Sequence, residues 1–265
     1  MKLWMARHKT LILWLFNILT AFAVYCLVLV VSRWWLLGVF WMYFMSVRFS
    51  DFCRGTELNE SIRILNELCD PEPFLKTVEL QILKTGASSV VYQTLLHVNK
   101  ACALSNMGKH EENLQLLREI NIDAHPGIVP AMKHVYYNNL VGAYMRIGKI
   151  EIAGHILEKA EQLLSWLKNR GRAQKHSDKM HQLTSVEYKL QLREFDEATA
   201  LLESIDEDDI CKRDRVEKYW LKAKILIAQG RAQDAIPCLR YVIEHGNKLY
   251  VATEAQQELS AIENL

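Results

Sequence analysis

The chain has 265 residues and a formal net charge of +1, with 50% hydrophobic and 24% charged residues. That content excludes wholesale disorder, and 11 Gly with 5 Pro exclude a collagen-like or Pro-rich low-complexity chain. The averages hide an asymmetry: residues 1–55 carry six Lys/Arg against one acid, whereas 56–265 carry 26 basic and 30 acidic residues, and five of the seven Trp lie within the first 41 positions. An apolar, basic start is therefore joined to a mildly acidic remainder, a charge balance that argues against a wholly nucleic-acid-binding chain.

Residues 10–31 (TLILWLFNILTAFAVYCLVLVV) run for 22 positions without a formal charge. At ~1.5 Å rise per residue such a helix matches a hydrocarbon core of ~30 Å, and it exceeds the apolar region of a secretory signal. After Ser32-Arg33 a second apolar run, WWLLGVFWMYFMSV, reaches Val47, and Phe49 and Phe52 extend its apolar face. The expected anchor is residues 1–50, two apolar helices at about 10–31 and 34–50 forming a transmembrane hairpin. Lys2, Arg7 and Lys9 then share a side with Arg48 and Arg54, leaving Arg33 opposite. That asymmetry places both termini in the cytoplasm, and the short basic start and compact hairpin suit a bacterial plasma membrane. The alternative is a single span, with 34–47 lying along the outer surface and the remainder extracytoplasmic. Five cysteines outside the first span, without a CxxC, favour a reducing compartment over a disulfide framework.

Residues 51–265 are read as one helical domain, since no sustained two-residue alternation and no Asn-Gly or Asp-Gly hairpin signal interrupts the helical periodicity. Three stretches share one layout. HVNKACALSNMGKHEENLQLLREI (97–120) carries Ala101, Leu104, Gly108 and Leu117. YNNLVGAYMRIGKIEIAGHILEKA (137–160) carries Tyr137, Leu140, Tyr144, Gly148, Ala153 and Ala160. YWLKAKILIAQGRAQDAIPCLRYV (219–242) carries Tyr219, Ala223, Leu226, Gly230, Ala235 and Leu239. In each, a helix ends at the Gly, which supplies a left-handed residue, and a second helix follows with Ala and Leu on one face. Poorer copies lie around Arg193 (Phe195, Ala198, Leu202, Ile205) and around Thr56 (Leu58, Ser61, Leu65, Leu68).

The layout resembles the tetratricopeptide repeat over about residues 45–245. The resemblance implies an all-α, irregular solenoid of stacked helix pairs, because one pair cannot bury its own apolar face. The reference points Thr56, Gly108, Gly148, Arg193 and Gly230 are more widely and less evenly spaced than the family's period, so an added helix is expected at 74–84 and longer helices around 161–185. A mobile connector is expected at 168–179, and a capping helix with a polar outer face at about 249–263.

No catalytic, metal-binding or cofactor-binding constellation stands out. There is no GxxxxGK[ST], no GxGxxG and no HExxH. His176 and His181 are read as surface residues. Asp206, with Asp214 and Glu217 downstream, approaches calcium-loop spacing, but Ile210 and Cys211 occupy positions that need an oxygen ligand and Gly, so a solvated turn is expected there. The basic run Lys168, Arg170, Arg172, Lys175 and Lys179 lacks interleaved aromatics and is read as a solvated loop, so no nucleic-acid partner is expected. The resemblance implies instead a concave groove that binds a protein or peptide. The residues assigned to its inner face are Asn99, Asn106, Asn138, Asn139, Arg146, Trp220 and Lys224. Asn would meet peptide amides, Arg146 and Lys224 a carboxylate, and Trp220 would be a flat anchor. The expected function is a membrane-anchored scaffold or adaptor, not an enzyme, working at the cytoplasmic face without a cofactor. The alternative is an extracytoplasmic single-span chaperone of envelope assembly.

Overall fold

The computed structural model describes residues 9–30, 35–85, 90–124, 127–167 and 172–264. Side chains at 9, 10, 12, 27–30, 35–37, 51 and 172–176 also lie outside the description. Among the described residues there is no β-strand, so the fold is all-α as expected. The chain divides into two compact units, Met1–Ile62 and Arg63–Leu265, a later boundary than the one after residue 50 read from the sequence.

In the first unit α1 (Lys9–Val30) lies beside α2 (Trp35–Arg63). Ser46 Oγ donates to Asn17 Oδ1 at 2.8 Å, and a Cβ at Gly38 would stand 3.0 Å from a Val24 methyl. As the chain ascends α1 from 17 to 24 it descends α2 from 46 to 38, so the two helices are antiparallel. Large apolar side chains point outward from both, among them Trp14 and Phe40, each 68% exposed, with Leu19, Phe22, Trp41 and Tyr43. Among the described residues no helix is long and apolar enough to cross a membrane; in α1 the continuous run of described side chains is 13–26. The structure thus supports a helix pair here, and the crossing of a bilayer by 10–31 and 34–50 is not shown by it.

The reversal expected near Thr56 is absent. Gly55 keeps a helical φ, Thr56 Oγ1 donates to the Phe52 carbonyl at 2.8 Å, and α2 continues to Arg63. The turn comes after a π-helical stretch, Ile64–Leu68, where Cys69 takes φ 54° before Pro71 opens the next helix.

The second unit continues with α3 (Pro71–Thr85), α4 (Val90–Asn106), α5 (His110–Glu119), α6 (Pro130–Arg146), α7 (Ile150–Leu167), α8 (Arg172–Gln191), α9 (Phe195–Glu203), α10 (Lys212–Ala228), α11 (Ala232–His245) and α12 (Tyr250–Glu263). Here α3 is the added helix expected at 74–84 and α12 the helix expected at 249–263. The connector expected at 168–179 is helical from Arg172 onward, with Ser177 buried; 168–171 lie outside the described residues. Helices pair as α4–α5, α6–α7, α8–α9 and α10–α11, and the first members stack in sequence, α4 on α6, α6 on α8 and α8 on α10. Small side chains permit this approach: Ala101, Ala153, Ala223 and Ala235 are wholly buried. Leu and Tyr fill the spaces between, as in the cluster of Val98, Leu117, Tyr136, Leu140 and Ala160.

Each inner helix ends alike. Gly108, Gly148 and Gly230 have φ of 74°, 70° and 76°, and Arg193 has 61°. At each, the left-handed residue's N–H donates three residues back, and the next N–H donates five back, as in Lys109 to the Leu104 carbonyl at 2.9 Å. This double bond pattern satisfies carbonyls that a helix end otherwise leaves open.

The first and last elements of the unit meet, which the repeat pattern did not foretell. Asn247 Nδ2 donates to the Leu68 carbonyl at 2.7 Å and the Lys248 N–H to the Cys69 carbonyl at 3.2 Å. Lys248 Nζ reaches Asp70 at 3.0 Å and Glu72 at 2.8 Å, and α10 packs on the π-helical stretch.

A Cβ at Gly148 meets nothing within 4 Å, whereas at Gly108 it falls 2.9 Å from Tyr250 Cβ. Gly148→Ala therefore costs only the left-handed backbone penalty, about 1–2 kcal/mol, and Gly108→Ala costs that and a clash. Urea unfolding of the full chain followed by circular dichroism should rank the midpoints wild type, Gly148→Ala, Gly108→Ala in descending order. Equal midpoints for the two variants would show that α12 does not hold Tyr250 against this turn.

Candidate functional site

Stacking α4, α6, α8 and α10 side by side, with α5 and the start of α12 at the edge, frames a partly open cavity of about 160 Å³ within the second unit. Its wall mixes apolar side chains such as Met180 and Leu183 with polar ones. Asn106 comes from α4, His110 and Asn113 from α5, and Asn138, Asn139 and Arg146 from α6. Glu187 comes from α8, Arg213, Asp214 and Glu217 from α10, and Tyr250 from α12.

Four of the seven residues assigned from the sequence, Asn106, Asn138, Asn139 and Arg146, thus line one space. The other three do not. Asn99 lies on α4 away from the cavity. Trp220 is 3% exposed, so it is a core side chain and not a flat anchor. Lys224 sits with its ammonium 5.7 Å from the centre of the Trp220 ring and lines a separate cleft with Arg193 and Phe195. Trp220 is displaced by helix rotation, since at ~100° per residue the cavity-facing Glu217 lies about 60° round α10 from it, whereas Asn99 and Lys224 share a face with Asn106 and Glu217 but lie about two turns along the axis from them. His181 also departs from expectation. It is half-buried, its ring centre is 5.7 Å from that of the wholly buried His134, and its Nδ1 has no partner.

The amide groups of the cavity are incompletely used. Asn106 Nδ2 donates to the Cys102 carbonyl at 2.8 Å, and Asn138 Nδ2 to the His134 carbonyl at 3.0 Å. Those carbonyl contacts fix which amide atom is nitrogen. Asn138 Oδ1, Asn113 Oδ1 and Asn139 Nδ2 are buried without a partner, and Asn113 and Asn138 are 1% and 3% exposed. An orphaned buried polar atom costs about 1–3 kcal/mol, and natural interiors leave few of them without water or ligand.

The cations of the wall have anionic partners. Arg213 binds Asp214 at 2.7 and 3.1 Å. Arg146 lies 3.6 Å from both Glu187 and Glu254 and packs over Tyr250, 4.8 Å from the ring centre. Glu217 makes no hydrogen bond or ion pair among the described residues. Burial foremost, then the neighbouring Glu187, pushes its carboxyl up to about 7, against the opposing fields of Arg146, Lys224 and Arg213. Burial, then Arg146, lowers His110, which is neutral at pH 7.

A larger cavity of about 730 Å³ lies between α9 and α10, lined by Glu207, Lys218, Tyr219 and Arg231. Its polar groups are satisfied within the fold: Lys218 Nζ donates to the Ile205 carbonyl at 2.8 Å and to Glu207 at 3.2 Å, and Arg231 binds Asp234 at 2.8 Å. Size favours this space, but unmet hydrogen-bonding capacity favours the smaller one. No family model matches the chain, and neither a curated protein nor a solved structure matches it.

The raised Glu217 carboxyl makes the folded state bind more protons than the unfolded chain between about pH 4.5 and 7. Its contribution to stability is therefore present at low pH and lost as pH rises through 7. Glu217→Gln removes that loss, so the variant should be the more stable by on the order of 2 kcal/mol at pH 8 and little different at pH 4.5. Thermal unfolding across this range checks it. A stability difference that does not grow with pH would place Glu217 in an ordinary solvated site.

Proposed function

We propose that this chain is a membrane-anchored adaptor of tetratricopeptide-repeat type that docks a protein partner at its inner helix layer. The observation that carries the reading is the cavity itself. Four sequence-assigned residues from successive inner helices converge on it, and its buried amides lack the hydrogen bonds that a self-sufficient core supplies. A partner that brings donors and acceptors to Asn113, Asn138 and Asn139 completes them.

The repeat assignment draws support from the shared helix-end geometry at Gly108, Gly148, Arg193 and Gly230 and from the stacking of inner on inner helices. The anchor draws support from α1 and α2. Twenty-two residues at ~1.5 Å rise give ~33 Å, the sole charge of α1 is Lys9 at its first position, and the outward side chains of the pair are large and apolar. Such a surface is costly in water and needs a cover; lipid is the cover proposed here. The Ser46–Asn17 hydrogen bond is of the kind that ties helices together in hydrocarbon. The basic residues Lys2, Arg7, Lys9, Arg48 and Arg54, which a hairpin brings to one side, support a cytoplasmic location for the repeats.

Two experiments on the full chain in cells test this. A photo-cross-linking residue at position 139 should capture one partner, and Asn113→Leu should lower its yield about tenfold, equivalent to ~1.4 kcal/mol, with the helical circular dichroism of the purified chain unchanged. A yield indifferent to Asn113 would remove the cavity from partner binding. For topology, the native thiols are poor reporters, since Cys238 is buried and burial pushes Cys211 up to about 12. The exposed Ser260→Cys on α12 should react with an impermeant maleimide only after permeabilisation. Labelling of intact cells would replace the hairpin by the single-span, extracytoplasmic chaperone.

A further inference from the structure

We infer that the cavity between α4, α6, α8 and α10 is a socket for one cationic side chain, lysine or arginine, presented by the protein partner. The inference rests on the proposed docking of a partner at this cavity and adds the chemistry of what enters.

Size comes first. About 160 Å³ falls below the ~300–1,000 Å³ of sites that enclose a drug-sized ligand, so it accepts one side chain rather than a length of peptide. Hydrogen-bonding capacity comes next. Two amide oxygens, Asn113 Oδ1 and Asn138 Oδ1, are buried without a donor, and Asn138 has committed its nitrogen to the His134 carbonyl. A single amide nitrogen of the wall, Asn139 Nδ2, is orphaned on the donor side. Asn138 Oδ1 is thus an acceptor fixed by the amide's own hydrogen bond, and Asn113, whose side-chain amide makes no hydrogen bond among the described residues, can turn its oxygen to the same donor.

Charge points the same way. Arg213 is held by Asp214, and Arg146 lies between Glu187 and Glu254 over the Tyr250 ring. Glu217 has no such partner among the described residues. An entering carboxylate would meet Glu187, Asp214, Glu217 and two amide oxygens, and the guanidiniums of the wall, Arg146 and Arg213, are already held by carboxylates. An apolar side chain would leave those oxygens unpaired. An ammonium with three donors, or a guanidinium with five, carries enough donors for Glu217, Asn113 and Asn138, which line the one cavity.

Occupancy also moves a proton. The charged groups whose fields act on Glu217 are Glu187 on α8, Arg146 on α6 and Lys224 and Arg213 on α10; Cys102 on α4, His110 on α5, Asp214 on α10 and Tyr250 on α12 line the same cavity, and Glu254 on α12 holds Arg146. In their field the empty socket holds Glu217 largely protonated below pH 7. A cation stabilises the carboxylate, so the carboxyl O–H breaks and its proton passes to the buffer as the side chain enters, while the ligand keeps its charge.

The test uses the full chain in detergent micelles and calorimetric titration with four capped tripeptides, alanine flanking a central lysine, arginine, norleucine or glutamate. At pH 6.5, in two buffers of different ionisation enthalpy, the lysine or arginine peptide should bind at least tenfold more tightly than the other two and release protons. Glu217→Gln, checked for native helicity, should lose both the preference and the release; Glu207→Gln, in the other cavity, should keep them. Equal binding of the norleucine or glutamate peptide overturns the socket, as does a cationic preference that survives Glu217→Gln or the absence of binding by all four. The photo-cross-link at position 139 separates the two failures. A partner captured there without cationic selectivity overturns the socket and leaves docking standing, whereas no Asn113-sensitive capture overturns docking itself.

Discussion

Close packing of the inner helices, three of which bury an alanine in the stack, is the constraint on which the second unit rests. Ala101, Ala143 and Ala223 are buried on α4, α6 and α10, and none fills space that its neighbour needs. A larger side chain at any of them would hold the helices apart. The outer helices then seat Leu117, Ala153, Ala198, Leu202, Ala235 and Leu239 against the inner layer. Because a single pair has nowhere to hide its second apolar face, the order of the stack follows from the order of the chain.

The reversals between helices show how far local sequence determines this arrangement and where it stops. Gly108, Gly148 and Gly230 were legible because only glycine enters the left-handed region without cost, and all three do. Arg193 occupies the same place in the layout and adopts the same conformation with a side chain attached, so at this turn the flanking helices over-determine the backbone. At Thr56 the layout suggested a turn, but no residue there takes positive φ, and the back-bonded Thr56 hydroxyl stays within helix. Repeat spacing locates a turn well only where its chemistry is also present.

The cavity was half legible for a related reason. Asn106, Asn138, Asn139 and Arg146 are polar positions on otherwise apolar helices, and periodicity alone points them inward. Trp220 defeated that logic, since an aromatic on an inner face is as fit for the core as for a groove, and the core took it. Glu187, Arg213 and Glu217 had no local signature. They reach the cavity because α8 and α10 arrive beside α6 and because the α11–α12 junction bonds back to Leu68 and Cys69, long-range pairings that no short window of sequence encodes.

That closure also bears on why the polar interior persists. Three orphaned amide atoms at about 1–3 kcal/mol each are comparable with the ~5–15 kcal/mol that holds a domain folded. An apolar side chain at Asn113, whose own side chain makes no hydrogen bond among the described residues, would relieve part of the cost, and a carboxyl at Glu217 adds a desolvation cost of its own. A stack selected for stability alone would have filled this space with Leu or Val, as it has at Leu117 and Val186. Retaining unmet acceptors beside a carboxyl poised near neutrality makes sense where something else supplies the missing donors for part of the protein's life.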